Sequence, residues 1–233
     1  MALFGKIIIS KARLKNIGGI VILEKKAWGQ EGADRKKIAA RIQAFPEGNI
    51  IATYKKEVVG YVSFEYVDEI KKNNSFSWSN ITDNGMATKS HKKNGDFIYG
   101  INLSILPSKR FLNIGSLLML EGLKNMIINN KKGAYIGSRI PDYNEYKKKN
   151  PKIRVDQYIK LKRKDGKFYD RGLRLYQSQG LQPIKALANY FPDLDSRNYG
   201  VLVFKKNIFY NWPFRTLIAN FIVNLEKIYL KFH

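Results

Sequence analysis

Arg110-Phe111-Leu112-Asn113-Ile114-Gly115-Ser116 joins an apolar strand to an amphipathic helix, and the reading of the whole chain turns on it. Ahead of it runs the strand-like stretch Tyr99-Gly100-Ile101-Asn102-Leu103-Ser104-Ile105-Leu106-Pro107. Behind it, Leu117, Leu118, Leu120, Leu123, Met126 and Ile127 fall on one side of a helix. The first turn of such a helix leaves backbone N–H groups without intrahelical partners. With the positive end of the helix dipole, these attract phosphate oxygens. Gly115 keeps the main chain open to a ligand, and Ser108, Lys109 and Arg110 add a hydroxyl and two cations suited to the same anion.

Outward from this turn, strands and helices alternate. Periodicity predicts a strand over Ile20 to Trp28 and a helix over Ala33 to Ala44. It predicts a hairpin of Asn49 to Lys55 with Glu57 to Tyr66, in which Val59, Tyr61, Ser63 and Glu65 share one face. Lys71 to Asp96 is polar and rich in Asn and Gly, which reads as a long loop. A short strand follows at Ala134 to Gly137. Residues 139–166 read as mainly irregular, with a helical stretch at Val155 to Leu161. A helix carrying Tyr176 is then capped at Gly180, and Leu181 to Leu187 with Tyr199 to Lys205 form a last antiparallel pair. The fold class is α/β of the α+β kind, a mixed, mostly antiparallel sheet flanked by helices.

The chain has 233 residues, enough for one well-buried domain with or without an appendage. It has no cysteine and two histidines, His91 and His233, which excludes disulfides, a cysteine nucleophile and a His-rich metal site. Lys6, Lys11, Arg13 and Lys15 break up the N-terminus, so a secretory signal is not expected and a cytoplasmic location is. The net charge of +23 suits a polyanionic partner. No nucleic-acid-binding motif accompanies it, so nucleic acid is not the expected one.

From Trp212-Pro213-Phe214 onward, Leu217, Ile218, Phe221, Ile222, Leu225, Ile228 and Tyr229 recur at helical spacing, with Arg215, Lys227 and Lys231 near the ends. This amphipathic helix is too short and interrupted to span a bilayer. It suits docking on its own core or in a homodimer, peripheral contact with an anionic membrane, or the covering of an acyl tunnel.

The turn at Arg110 to Ser116 resembles the coenzyme A loop of the GNAT superfamily of N-acyltransferases, R-x-x-G-x-G/A, with Asn113 in place of the first glycine. Gly172-Leu173-Arg174-Leu175-Tyr176-Gln177-Ser178-Gln179-Gly180-Leu181 resembles the later helix-turn-strand signature of that family. Phe45-Pro46-Glu47-Gly48, Ser77-Trp78 through Asn84-Gly85, and Gly95-Asp96 are similar to the GNAT domains that bacteria fuse to carbon-nitrogen hydrolases. So are Gly137 to Tyr143 and Asn189 to Leu202. The resemblance covers residues 1–207 as an acyltransferase domain and leaves 208–233 as a helical extension of a free-standing relative.

It implies a GNAT fold with splayed central strands and an acyl-CoA donor attacked directly by an amine acceptor, without a metal. The coenzyme would lie along Leu103, Ser104, Ile105, Leu106, Lys109, Arg110, Phe111, Leu112, Asn113, Ile114, Gly115 and Ser116. By the same resemblance Tyr176 would return a proton to the departing thiolate. Glu65 and His91 are the candidate bases for the amine, with water-relayed deprotonation as the alternative. Phe76, Trp78, Tyr143, Tyr146 and Tyr158 are candidates to line an acceptor cleft. Free-standing members that attach fatty acyl groups to peptide side-chain amines are the group this basic, apolar-tailed chain resembles. Acetylation of a small amine or a protein lysine is the alternative, and a non-catalytic binding module is a second.

Overall fold

In the computed structural model, which describes residues 7–71 and 75–232, seven strands form one sheet. They are β1 (Ile7–Lys11), β2 (Asn49–Tyr54), β3 (Glu57–Val67), β4 (Phe97–Ile105), β5 (Gly133–Arg139), β6 (Gln182–Leu187) and β7 (Gly200–Lys206). The order across the sheet is β1-β2-β3-β4-β5-β7-β6. Every neighbouring pair is antiparallel except β4 with β5. The helices are α1 (Ile17–Trp28), α2 (Arg35–Ala44), α3 (Trp78–Ile81), α4 (Ile114–Ile128), α5 (Tyr143–Lys149), α6 (Val155–Tyr158), α7 (Arg171–Gln177) and α8 (Arg215–Phe232). This is the mixed, mostly antiparallel architecture that the order of elements predicts.

Local chemistry sets the element ends. Lys55 and Lys56 both take positive φ, 49° and 69°, in the β2–β3 turn, where two left-handed residues match the twist of the strands. The Asp34 carboxylate accepts the Lys37 N–H at the start of α2, and Asp170 accepts the Gly172 and Leu173 N–H groups at the start of α7. Gly180, at φ 77°, closes the turn after α7.

The segment expected as a strand at Ile20 to Trp28 is helix α1. Its burial follows a helical period: Ile20, Leu23 and Glu24 face the sheet while Ile22 is exposed. A Cβ on Gly19 would come within 2.8 Å of the Val58 side chain, so glycine lets the helix approach β3 closely. The β-branched run suggested a strand, and packing overrode that preference. The edge position went instead to β1, a strand the sequence reading did not assign. Residues 139–166 are also more helical than expected, holding α5 and α6, and α3 lies within the long polar loop.

Aromatic residues expected at an acceptor cleft divide into two groups. Tyr143 and Tyr158 are buried and stack with Tyr146 and Tyr169 in a core of their own beside α7. Phe76 and Trp78 instead pack on Tyr99, Tyr190 and Phe191 against the centre of the sheet.

Helix α8 lies on α4. Ala219 and Val223 are buried there, and Lys227 Nζ meets Glu121 Oε1 at 3.3 Å. Leu217, Phe221, Leu225 and Ile228 remain exposed on its other side. The Lys231 side chain lies outside the described residues. Among the described residues no helix is long and apolar enough to cross a membrane.

Asn49 fastens α2 to the sheet. Its Nδ2 donates to the Arg41 and Phe45 carbonyls at 2.9 and 2.8 Å, and its Oδ1 accepts from the Tyr61 hydroxyl at 2.6 Å. An Asn49→Ala variant removes these three bonds and takes the acceptor from the buried Tyr61 hydroxyl, while the Arg41 and Phe45 carbonyls keep the Phe45 and Gly48 N–H groups; it is expected to lose about 1–3 kcal/mol of stability, measured by urea unfolding.

Candidate active site

Strands β4 and β5 pair only from Phe97↔Gly133 to Gly100↔Ile136. Beyond that rung, Ile101 to Ile105 pair with β3 alone or stand out of register, and Gly137 to Arg139 pair with β7 alone. The two central strands therefore part, leaving main-chain groups across the gap without a ladder. The β3–β4 register steps from Ser63↔Asn102 to Phe64↔Gly100, so Ile101 is an extra, bulged residue at the point of separation. Its carbonyl accepts a hydrogen bond from Trp78 Nε1 at 3.0 Å.

The parted end of β4 runs into a 3-10 turn, Pro107–Leu112, and then α4. Asn113 at the junction is left-handed, φ 52° and ψ 21°, so asparagine supplies the geometry for which the resembling motif uses glycine. The first backbone bond inside α4 is Leu117 N–H to the Asn113 carbonyl at 3.1 Å, which leaves the amides of Ile114, Gly115 and Ser116 outside the helical ladder. Gly115 is buried, and a Cβ there would meet Ile105 Cδ1 at 2.8 Å. Gln179 Nε2 donates to Ser116 Oγ at 3.3 Å, which brings the α7–β6 turn beside the start of α4. Lys109 Nζ sits 5.2 Å from the centre of the Tyr54 ring. Leu103 and Ile105 pack toward the core under α4, Leu106 is buried, and its N–H donates to the Val59 carbonyl. The side chains of Arg110, Phe111 and Leu112 lie outside the described residues. The free amides, the left-handed junction and the parted strands all fit a diphosphate-bearing coenzyme with a narrow arm.

Tyr176 of α7 packs against the cluster that includes Leu173, Leu181, Val201 and Val203. Burial pushes its phenol up to about 12. Its hydroxyl has no hydrogen-bond partner among the described residues, and it acts electrostatically on Tyr99 and Tyr190. Those two phenols are bonded to each other at 2.7 Å. A phenol held neutral so firmly can donate a hydrogen bond to an anion formed beside it.

The structure separates the two candidate bases. Glu65 is fully buried on β3, with Oε2 accepting from Ser90 Oγ at 2.6 Å, and desolvation raises its carboxyl to about 7. A carboxyl poised there exchanges protons readily at neutral pH. His91 lies toward the far end of β3. Its ring stacks on Phe45 at 4.4 Å, and its Nδ1 accepts the Tyr66 N–H at 3.2 Å. Burial, then Lys131, lower its pKa. Its partners are those of a packed loop residue, and the geometry brings Glu65, not His91, toward the parting strands.

One cluster was missed in the sequence. Glu24 of α1 is buried, and its Oε1 accepts from Ser104 Oγ at 2.5 Å and Asn102 Nδ2 at 2.8 Å, while Oε2 accepts the Ala33 N–H. Trp28 Nε1 donates to the same Ser104 Oγ at 2.7 Å. The Arg139 guanidinium lies 5.2 Å from the Trp28 ring and 4.2 Å from the Phe191 ring, and bonds Glu31 at 2.5 Å. Trp28 thus touches both jaws of the gap, β4 through Ser104 and β5 through Arg139. Glu24, placed directly after the apolar run Ile20 to Leu23 and followed by Lys25 and Lys26, was the available signal, hidden because the stretch was read as a strand.

On the α4 side, an apolar cavity of about 540 Å³ begins at the Gly100–Ile136 rung. Leu118, Met119, Leu123 and Met126 of α4 form one wall, Val62, Phe64 and Ile98 the floor, and Tyr229 and Leu230 of α8 part of the roof. Lys205, which donates to the Gln179 carbonyl at 2.7 Å, and Glu226 stand among its few charged groups. Among the described residues no acidic or histidine cluster could hold a metal ion.

No family model matches the chain. Over 174 residues it is 31% identical to "Uncharacterized N-acetyltransferase YkwB" of Bacillus subtilis, covering 75% of each chain. It is 28% identical over 236 residues to "Probable hydrolase YhcX" of the same organism, covering 96% of this chain and only 45% of that protein. The fold superimposes on the loading GNATL domain of CurA from Lyngbya majuscula with a TM-score of 0.76 at 21% identity, over 86% of this chain and 97% of that one. It also superimposes on the GphF GNAT-like decarboxylase, solved with isobutyryl-CoA, at 0.71 and 20% identity, over 85% and 98%. With its parted strands, open helix start and this relative, the chain belongs to the GNAT family of N-acetyltransferases.

Proposed function

We propose that this protein is an acyl-CoA-dependent N-acyltransferase that moves a medium- or long-chain acyl group to a primary amine of a peptide or protein side chain. The apolar cavity carries this reading, because it starts where the central strands part and is large enough for a lipid chain. Each methylene placed there contributes about 0.8 kcal/mol of burial. The coenzyme thioester would supply the activated acyl group. The Ile114, Gly115 and Ser116 amides hold its phosphates, and the edge of Leu103 to Ile105 that faces away from β3 holds its arm. Glu65 takes the proton of the incoming ammonium, and Tyr176 gives one to the leaving thiolate. The exposed apolar side of α8, on a chain of net charge +23, suits contact with an anionic membrane that stores such donors.

Acetyl transfer is the second reading, and mass spectrometry of coenzyme retained through purification separates the two. Long-chain acyl-CoA supports the lipid donor, and acetyl-CoA or another short acyl-CoA overturns it. A Leu123→Trp variant fills the cavity and is expected to shift donor preference toward shorter chains by at least about tenfold in kcat/KM, read across donors of graded length. Gly115→Glu places bulk and negative charge at the phosphates, and calorimetry is expected to show no coenzyme binding. Tyr176→Phe is expected to lower kcat while leaving the donor Kd within about twofold; an unchanged rate removes Tyr176 from proton transfer.

A further inference from the structure

The cavity beside the strand parting is apolar except along one edge, and that edge holds a cation. Lys205 of β7 pairs with Ala134 of β5, two residues along from Ile136, where β4 and β5 last pair. Its side chain lines the cavity together with Ala134 and Ile136. At a strand rise of about 3.3 Å per residue, the lysine stands roughly 7 Å along the sheet from the rung where the cavity begins.

The surroundings of this ammonium match it only in part. Lys205 is half-buried, and its one hydrogen bond among the described residues is to the Gln179 carbonyl at 2.7 Å. A Cβ on Gly180 would come within 3.2 Å of Nζ, so the ammonium lies against the α7–β6 turn. Desolvation lowers its pKa, and Glu226, exposed on α8, opposes that electrostatically without bonding to it. An ammonium carries three donors, so two remain after the turn is tied down. The same corner of the lining is polar in other ways. Gln179 Nε2 donates to Ser116 Oγ at 3.3 Å and to Ser178 Oγ at 3.4 Å, whereas Leu118, Leu123 and Met126 supply the hydrocarbon wall.

This arrangement sets a condition on any chain that fills the hollow. A methyl end brought up to Lys205 strips water from a charge and returns nothing to it, which is costly. A carboxylate at the same place completes a charge-assisted pair and uses the two remaining donors.

We propose that Lys205 is a specificity-determining residue that selects acyl donors of medium length bearing a carboxylate at the far end of the chain. The methylenes lie against α4, and the terminal carboxylate meets the ammonium. This rests on the reading of the cavity as the acyl site. The thioester end reacts as before, because the second carboxylate takes no part in transfer.

Calorimetry on the full chain, without an acceptor, tests the assignment with two donors. They are octanoyl-CoA and suberoyl-CoA, the same chain with a carboxylate in place of its terminal methyl. Suberoyl-CoA is expected to bind at least about tenfold tighter. Lys205→Met keeps much of the bulk and removes the charge, and it is expected to reverse the order by strengthening octanoyl-CoA and weakening suberoyl-CoA. Because the two donors are compared within one protein, a general loss of coenzyme affinity in the variant cancels. Equal affinities in the unaltered protein, or a preference for suberoyl-CoA that survives Lys205→Met, overturn the proposal. If neither donor binds more tightly than coenzyme A without an acyl group, the reading of the cavity as the acyl site fails, and the role of Lys205 fails with it.

Discussion

The parting of β4 from β5 after a single four-residue stretch of parallel pairing is the constraint that the rest of the structure serves. A sheet normally gains by extending its ladder, so main-chain groups left unpaired at its centre need something else to hold the strands apart. Here β5 is drawn away by β7 along its whole length, and β4 is held by β3 with a bulge at Ile101. Below the gap, the Tyr99–Tyr190 bond and their shared contacts with Phe76 hold the closed end together. Above it, Trp28 bridges the jaws without closing them, bonding Ser104 on one side and lying under Arg139 on the other.

The two faces of the opening have opposite chemistry. On the side of α4, amides at the helix start and an apolar hollow face the gap, which suits a polyanion with a hydrophobic load. On the side of α1 and α2, the carboxylates of Glu24 and Glu65 are buried with hydroxyls and one guanidinium. Glu24 is satisfied by three donors, whereas Glu65 is given one and keeps an oxygen free. At near-equal burial, the two carboxylates therefore differ in how fully their oxygens are bonded.

Much of this was legible in the sequence where local chemistry dictates structure. The turn before α4 follows from a strand, a left-handed-tolerant asparagine, a glycine and an apolar helix in succession. Capping and turn residues set the ends of α2, the β2–β3 hairpin and α7. The reading failed where tertiary packing chose between options. Residues 20–28 carry a strand-like composition, but close approach through Gly19 and the inward Glu24 made them a helix. His91 was preferred to Glu65 in sequence for its place in the matched segment, because nothing local reveals that His91 stacks on Phe45 while Glu65 is buried and desolvated on β3.

Helix α8 roofs the cavity with Tyr229 and Leu230 while its opposite side stays bare. It is tethered beyond β7 by a short segment with Trp212 and Pro213 next to its first turn. The width of the hollow on this side is therefore set by how α8 seats on α4, where Ala219 and Val223 are buried and Lys227 meets Glu121. One wall of the hollow is thus lent by the last helix of the described residues, outside the sheet and α4 that build the rest.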